Sequence, residues 1–204
     1  KTNRLNIGCD INKIVAEVDV IIVAIPSNYA FKEINKINTN ISEKIFISAV
    51  KGVLPESMKV LGTFFHENFK IPYAQIGVIA GPCHAEEIAM EKLSYLTFAC
   101  SNVTYSKVIS KWLKCKYVRV TISDDITGTE FAAMLKNCYA IAAGIAHGLG
   151  YGDNFMSILM SNSIREMKKF IDSVTKVNRN INNSEYLGDL LVSGHSSFSR
   201  NRRL

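Results

Sequence analysis

Between Phe131 and Ala146 the chain is apolar or small at nearly every position, and Lys136 is the only charge, with Asn137 beside it. An ammonium set among Ala132, Ala133, Met134, Leu135, Ala140 and Ala143 loses hydration. That lowers its pKa toward neutrality and suits it to proton transfer. The alternative is a lysine at the edge of a buried helix, its stem on the apolar face and its head in water.

Further features carry chemistry. From Ile79 to Glu87 (IAGPCHAEE) a strand ends at Gly81 and Pro82 and a helix begins. The free backbone N–H groups of such a helix start can take an anion or a carbonyl oxygen, and the alternative is a tight turn and nothing more. Lys51, in Val50-Lys-Gly-Val53, stands just past the carboxyl end of an expected strand, the edge at which open α/β sheets bind ligands; a surface turn is the alternative. Asp189, within Leu187-Gly-Asp-Leu-Leu191, sits among apolar residues and needs a buried cationic or donor partner, for which Lys136 is the candidate. Ser199, Arg200 and Asn201 offer donors in succession, and the arginine can grip a phosphate through two parallel hydrogen bonds. The alternative there is a solvated polar tail.

These residues need a frame, and the hydropathy pattern supplies one. Runs rich in β-branched and aromatic residues predict strands at Val18 to Ile25, Lys44 to Val50, Gln75 to Ala80, Tyr95 to Cys100 and Tyr117 to Ile122. Helical spacing lies between them at Asn28 to Ile37, Pro55 to Phe65 and Glu86 to Glu91. The alternation predicts an α/β fold whose early strands are parallel and buried on both faces, a partial Rossmann-like dinucleotide-binding domain over residues 1–122. From Ser123 the pattern turns helical. One helix is expected from Thr127 to His147, capped by Thr127 or Thr129, and after the turn Gly148 to Gly152 another runs from Asp153 or Asn154 to Val174, capped by Asp153. An asparagine-rich loop, Asn178 to Ser184, leads to the apolar segment Tyr186 to Val192 and a polar tail. Residues 123–204 are thus expected to form an all-α substrate and catalytic domain.

At 204 residues and 48% hydrophobic content the chain can bury a substantial core, which excludes wholesale disorder. The longest apolar run, Val18 to Pro26 with Asp19 inside it, is far short of the ~20 residues of a membrane span, so the expectation is a soluble, cytoplasmic protein. Cys9, Cys83, Cys100, Cys115 and Cys138 are scattered, with no metal-ligand spacing, and are expected to be reduced and mostly buried, with no metal. The net charge of +6 is dispersed except at Arg200, Arg202 and Arg203. A basic nucleic-acid-binding module is therefore a weak rival, since Trp112 is the only tryptophan and aromatic and basic residues do not interleave. The chain opens at Lys1 and ends at Leu204 directly after a basic run, and both ends are expected to be cut.

In order and spacing, Leu135 to Asn154 (LKNCYAIAAGIAHGLGYGDN), Leu187 to Leu191 and Ser199 to Arg202, with Gly81-Pro82-Cys83, Val50-Lys51-Gly52 and Val23 to Ser27 upstream, resemble NAD(P)-dependent glycerol-3-phosphate dehydrogenases of the bacterial type. The resemblance implies reduction of dihydroxyacetone phosphate to sn-glycerol 3-phosphate with NAD or NADP, supplying glycerophospholipid synthesis. It implies that Lys136 is the proton donor and acceptor, helped by Asp189. It also places Lys51 against cofactor and substrate, Gly81 and Cys83 against substrate, and Ala85 against cofactor. Ser199, Arg200 and Asn201 would hold the glycerol phosphate, with Arg200 also near the dinucleotide. Cys83 stands where the family commonly has serine, a stronger donor. The family's opening G-x-G-x-x-G turn is not found in Lys1 to Asp10. A piece lacking that first β-α-β unit is expected to bind dinucleotide weakly and to be inactive alone. The choice between NAD and NADP stays open, as does the oligomeric state, a homodimer among the options. A related hydroxy-acid dehydrogenase is the enzymatic rival.

Overall fold

A computed structural model of the chain describes residues 5–196 and 199–203; Lys1 and Leu204, on which the expectation of cut ends rests, lie outside the described residues. Five strands, β1 (Val20–Val23), β2 (Ile45–Ser48), β3 (Ile76–Ala80), β4 (Ser94–Cys100) and β5 (Val118–Ser123), form one sheet in sequential order. β1, β2 and β3 are parallel, β4 reverses against β3, and β5 runs parallel to β4. Successive residues of a strand face opposite sides. Phe46 accordingly enters a core with Phe64, Phe65, Leu61 and Ile34, while its neighbour Ile47 enters another with Phe98, Cys100 and Ile109. The first core is closed by α1 (Ile11–Glu17), α2 (Ser27–Ile34) and α3 (Leu61–Phe69), the second by α5 (Val103–Leu113). Both faces are covered, as a parallel sheet requires.

The helical part begins with α6 (Ile126–Gly148), whose alanines at 132, 140, 143 and 146 are buried. Small side chains let other elements approach its backbone closely, which makes α6 the central post of this half. α7 (Asp153–Val174) buries Met156, Met160, Ser163, Met167 and Ile171, one helical stripe facing α6. A π-helical turn, Ser184–Gly188, runs directly into α8 (Asp189–His195), and a short 3-10 turn, Asn201–Arg203, lies against α6. The architecture is a Rossmann-like sheet followed by a helical domain. Among the described residues no helix is long and apolar enough to cross a membrane.

Several local expectations are corrected. The helix expected from Pro55 to Phe65 starts at Leu61, because the chain first closes a turn in which Met58 N donates to Leu54 O at 2.8 Å. α6 is capped by Asp125, which accepts from Gly128 N at 2.9 Å, rather than by Thr127 or Thr129. Thr129 already lies one turn inside and donates back to Asp125 O at 2.6 Å. Gly152, not Asp153, is the N-cap of α7, and Asp153 serves in the first turn, where a negative charge meets the positive end of the helix dipole. Only Cys100 is fully buried; Cys83 is half-buried, and Cys9, Cys115 and Cys138 are exposed, the last on the outer side of α6.

Candidate active site

A cleft of about 780 Å³ opens where the carboxyl ends of β1, β2 and β3 face α6. Its sheet side comprises Ala24 to Ser27, Ala49, Lys51 and Cys83 to Glu86; its helical side comprises Lys136, Asn137, Ser193 and Ser199 to Asn201. This is the edge at which a parallel α/β sheet takes its ligand.

Lys136 and Asp189 stand 5% and 2% exposed, and Nζ of Lys136 donates to Oδ1 of Asp189. The lysine is therefore buried and paired, not reaching past the helix into water. Loss of hydration pushes its ammonium down to about 8; the Asp189 carboxylate opposes that fall and the nearby Lys51 charge adds to it. The second carboxylate oxygen of Asp189 faces Gly81, whose N–H donates to it at 3.4 Å. Gly81 has φ +116°, and a Cβ there would come within 2.9 Å of Tyr95 O. Glycine at 81 thus lets the turn after β3 point its amide at Asp189.

Lys51, in the loop past the carboxyl end of β2, is fixed through its carbonyl, which accepts from Asn137 Nδ2 at 3.0 Å. Asn137 Oδ1 in turn accepts from Asn201 Nδ2 at 2.8 Å. One side chain on α6 therefore links the lysine of the sheet edge to the polar segment at the other rim. Ser199 is buried, and its hydroxyl accepts from Arg202 N at 3.4 Å. Arg202 Nη1 donates to His195 O at 2.7 Å, which ties the segment to the end of α8. Arg200 is exposed at the cleft and, among the described residues, has no hydrogen-bond or ion-pair partner.

The segment is seated on Gly144, where a Cβ would come within 2.4 Å of Arg202 O. Gly144→Ala would gain about 1 kcal/mol of helix propensity if nothing packed there. Here it is expected to destabilise the fold by about 1–3 kcal/mol through overpacking and to expose the chain near Arg200 to trypsin. Thermal unfolding and limited proteolysis check this; a more stable, equally resistant variant would contradict the packing.

Cys83 feels both Lys51 and Asp189, and burial is the main reason its thiol is raised, with Lys51 opposing and Asp189 adding. It is thus a neutral, weak donor. Ala85 opens α4 (Ala85–Ala89) on the sheet side of the cleft. The anion cradle expected there is corrected: α4 is a single short turn, and Glu86 and Glu87 fill its first turn with negative charge. The structure brings Lys51, Gly81, Cys83, Ala85, Lys136, Asp189, Ser199, Arg200 and Asn201 to one cleft or its walls.

Sequence reasoning noted Asn137 without seeing its bridge, and missed Ser193. It also missed two buried groups behind the site. Glu130, one helical turn before Met134, accepts from Gly62 N with both oxygens at 3.0 and 3.1 Å, and burial pushes its carboxyl up to about 7. Asp125 holds Arg179 Nε at 2.7 Å and Tyr186 Oη at 2.6 Å. The available signal for Glu130 was an acid adjoining the apolar run that starts at Phe131.

The sheet side of the cleft suits a dinucleotide. The small side chains Ala24, Ala49 and Ala85 line it at the strand ends, and small residues there let a flat ring approach the backbone.

Comparison with known proteins agrees with this geometry. The family descriptions NAD-dependent glycerol-3-phosphate dehydrogenase N-terminus and C-terminus match residues 2–106 and 125–204. A glycerol-3-phosphate dehydrogenase (NAD(P)+) of Oceanobacillus iheyensis is 31% identical over 202 residues, 98% of this chain and 59% of the relative. One of an Exiguobacterium species is 32% identical over 187 residues, 90% of this chain and 54% of the relative. The chain thus spans less than two thirds of the length of these relatives. The crystal structure of a Coxiella burnetii glycerol-3-phosphate dehydrogenase superposes with a TM-score of 0.85 at 27% identity, covering 96% of this chain and 60% of that one. With the sheet, the helical domain and both family halves in place, the chain belongs to the NAD-dependent glycerol-3-phosphate dehydrogenase family.

Proposed function

We propose that the protein carrying this chain interconverts dihydroxyacetone phosphate and sn-glycerol 3-phosphate with NAD or NADP, in the cytoplasm and in supply of glycerophospholipid synthesis. The observation that carries the reading is the buried Lys136 and Asp189 pair in a cleft at the strand ends, with the unengaged Arg200 at its rim. The dinucleotide, when bound along Ala24, Ala49 and Ala85, supplies the hydride. Lys136 Nζ donates its proton to the carbonyl oxygen as the ketone carbon receives that hydride, so the C=O bond becomes CH–OH with one proton taken from the protein. Asp189 orients the ammonium and balances its charge. Lys51, Gly81 and Cys83 bound the reacting end, and Ser199, Arg200 and Asn201 hold the phosphate, which fixes the ketone relative to Lys136. Residues 1–122 bind the dinucleotide in part, and residues 123–204 carry the substrate and the proton donor. The partner is a small molecule, not a nucleic acid, and a homodimer is the assembly proposed.

The direction of the Lys136 shift sets a pH signature. Reduction needs the ammonium, so its rate is expected to fall as pH rises through about 8, while oxidation of glycerol 3-phosphate needs the free amine and is expected to rise through the same range. Initial rates in both directions from pH 6 to 10, followed by NADH absorbance, test this, with unphosphorylated dihydroxyacetone as the comparison. Parallel profiles in the two directions would remove Lys136 from proton transfer. Equal rates on the two ketones would favour a hydroxy-acid or simple ketone reductase.

A further inference from the structure

A π-helical turn is rare and makes poorer hydrogen bonds than an α-helix, so the one before α8, Ser184–Gly188, needs a reason to persist. Its second and third residues, Glu185 and Tyr186, are both buried and engage different parts of the fold. Glu185 Oε2 accepts from Thr97 Oγ1 of β4 at 3.1 Å, and Ser184 Oγ lies 3.1 Å from the same hydroxyl. Tyr186 Oη donates to Asp125 Oδ2 at 2.6 Å, where Arg179 Nε also donates at 2.7 Å. Burial raises the Tyr186 phenol, so it stays a neutral donor. Asp125 is also the N-cap of α6, the helix that carries Lys136, while the turn delivers Asp189 as the first residue of α8.

We propose that Thr97, Glu185, Tyr186 and Asp125 form a two-sided clamp that holds the 184–188 turn in its π form and thereby sets Asp189 against Lys136. The argument is geometric. Relaxing one π turn to an α turn removes one residue from the winding and rotates the next stretch of helix by roughly 100° about its axis. Asp189 comes immediately after the turn, so its carboxylate would leave both Lys136 Nζ and Gly81 N. The four are positioning residues, since none of them lines the cleft. The consequence for rate rests on the function proposed above; the consequence for the Lys136 environment does not.

Two variants separate these consequences. Tyr186→Phe removes one hydroxyl and leaves the Asp125 and Arg179 pair in place, and Thr97→Val removes the hydroxyl on the other side; Thr97→Ser keeps it. Lys136 is followed by competitive acetylation across pH, read by peptide mass spectrometry, together with kcat and KM for dihydroxyacetone phosphate. In the first two variants the Lys136 titration is expected to move down by about one pH unit, because the carboxylate that supports its charge has turned away. kcat should drop about tenfold at a KM within twofold, as when an interaction made only in the transition state is lost, and Thr97→Ser should match the unmodified protein. An unmoved Lys136 titration in a folded Tyr186→Phe or Thr97→Val protein overturns the clamp. A moved titration in a protein that carries this chain, binds NADH and yet shows no turnover with any ketone supports the clamp and sinks the dehydrogenase reading. Should Tyr186→Phe fail to fold, the Thr97→Val and Thr97→Ser pair decides by the same criteria.

Discussion

In the whole protein that carries this chain, replacing Lys136 by methionine is expected to lower turnover by about 10²–10⁴-fold, the usual worth of a positioned general acid. It should also cost stability that the sequence alone did not foretell. Lys136 and Asp189 are paired in the interior, and deleting one member leaves the other charged and desolvated, a loss of about 3–5 kcal/mol. For a chain of this size that corresponds to a fall of about 10 °C in Tm. Lys136→Met with Asp189→Asn removes both charges and keeps the acceptor for Gly81 N, so most of the stability should return while turnover stays lost. Steady-state kinetics and thermal unfolding on the single and double variants check this. More than half the original kcat in either would take Lys136 out of the chemistry, and an unrescued double variant would mean that the pair is not the source of the instability.

The second large effect is expected at Arg200. It stands at the cleft without a partner among the described residues, between Ser199 and Asn201, which are held in place from α6 and by Arg202 N. A guanidinium delivers two parallel hydrogen bonds to a phosphate where an ammonium is a point charge. Arg200→Lys should therefore raise KM for dihydroxyacetone phosphate about tenfold at unchanged charge, equivalent to one charge-assisted hydrogen bond. Arg202→Lys should leave KM within about twofold, since Arg202 Nη1 is spent on His195 O rather than turned to the cleft. Were the tail to bind nucleic acid through charge alone, both substitutions would be nearly silent. Equal small effects at the two positions would remove the phosphate grip, and salt-sensitive binding of DNA or RNA would put the nucleic-acid reading in its place.

How far the sequence speaks depends on whether a signal is local. All five strands fall within or beside their expected runs, because a strand buried on both faces must be β-branched or aromatic at consecutive positions, as in Ile45 to Ser48. Lys136 was conspicuous because a lone charge in an alanine-rich helix has few explanations. The reversal of β4 was not legible, since a buried strand has the same composition in either direction and α4 between β3 and β4 is a single turn. Asp125 was hidden by its neighbours: Ser123, Asp124, Asp125, Thr127 and Thr129 all have capping side chains, and only the path of the backbone selects one. Arg179 lies in an asparagine-rich loop that reads as solvated, yet its side chain is sealed against Asp125, 54 residues away. The bridge through Asn137 joins Lys51 to Asn201, and no spacing rule encodes a contact between such distant segments.

That bridge is made by an amide. Asn137 gives a hydrogen to the Lys51 carbonyl and takes one from Asn201, and it neither gains nor loses a proton in water at any pH the protein survives. A carboxylate there could donate to the Lys51 carbonyl only when protonated, and an imidazole could accept from Asn201 only when neutral, so with either group one of the two links would come and go with pH. With an amide, this link is deaf to acidity while the amine one residue before it listens. In the reaction proposed above, a change of pH would therefore act on Lys136 as a throttle, favouring alcohol or ketone, while this one link between the walls of the cleft stays as it is.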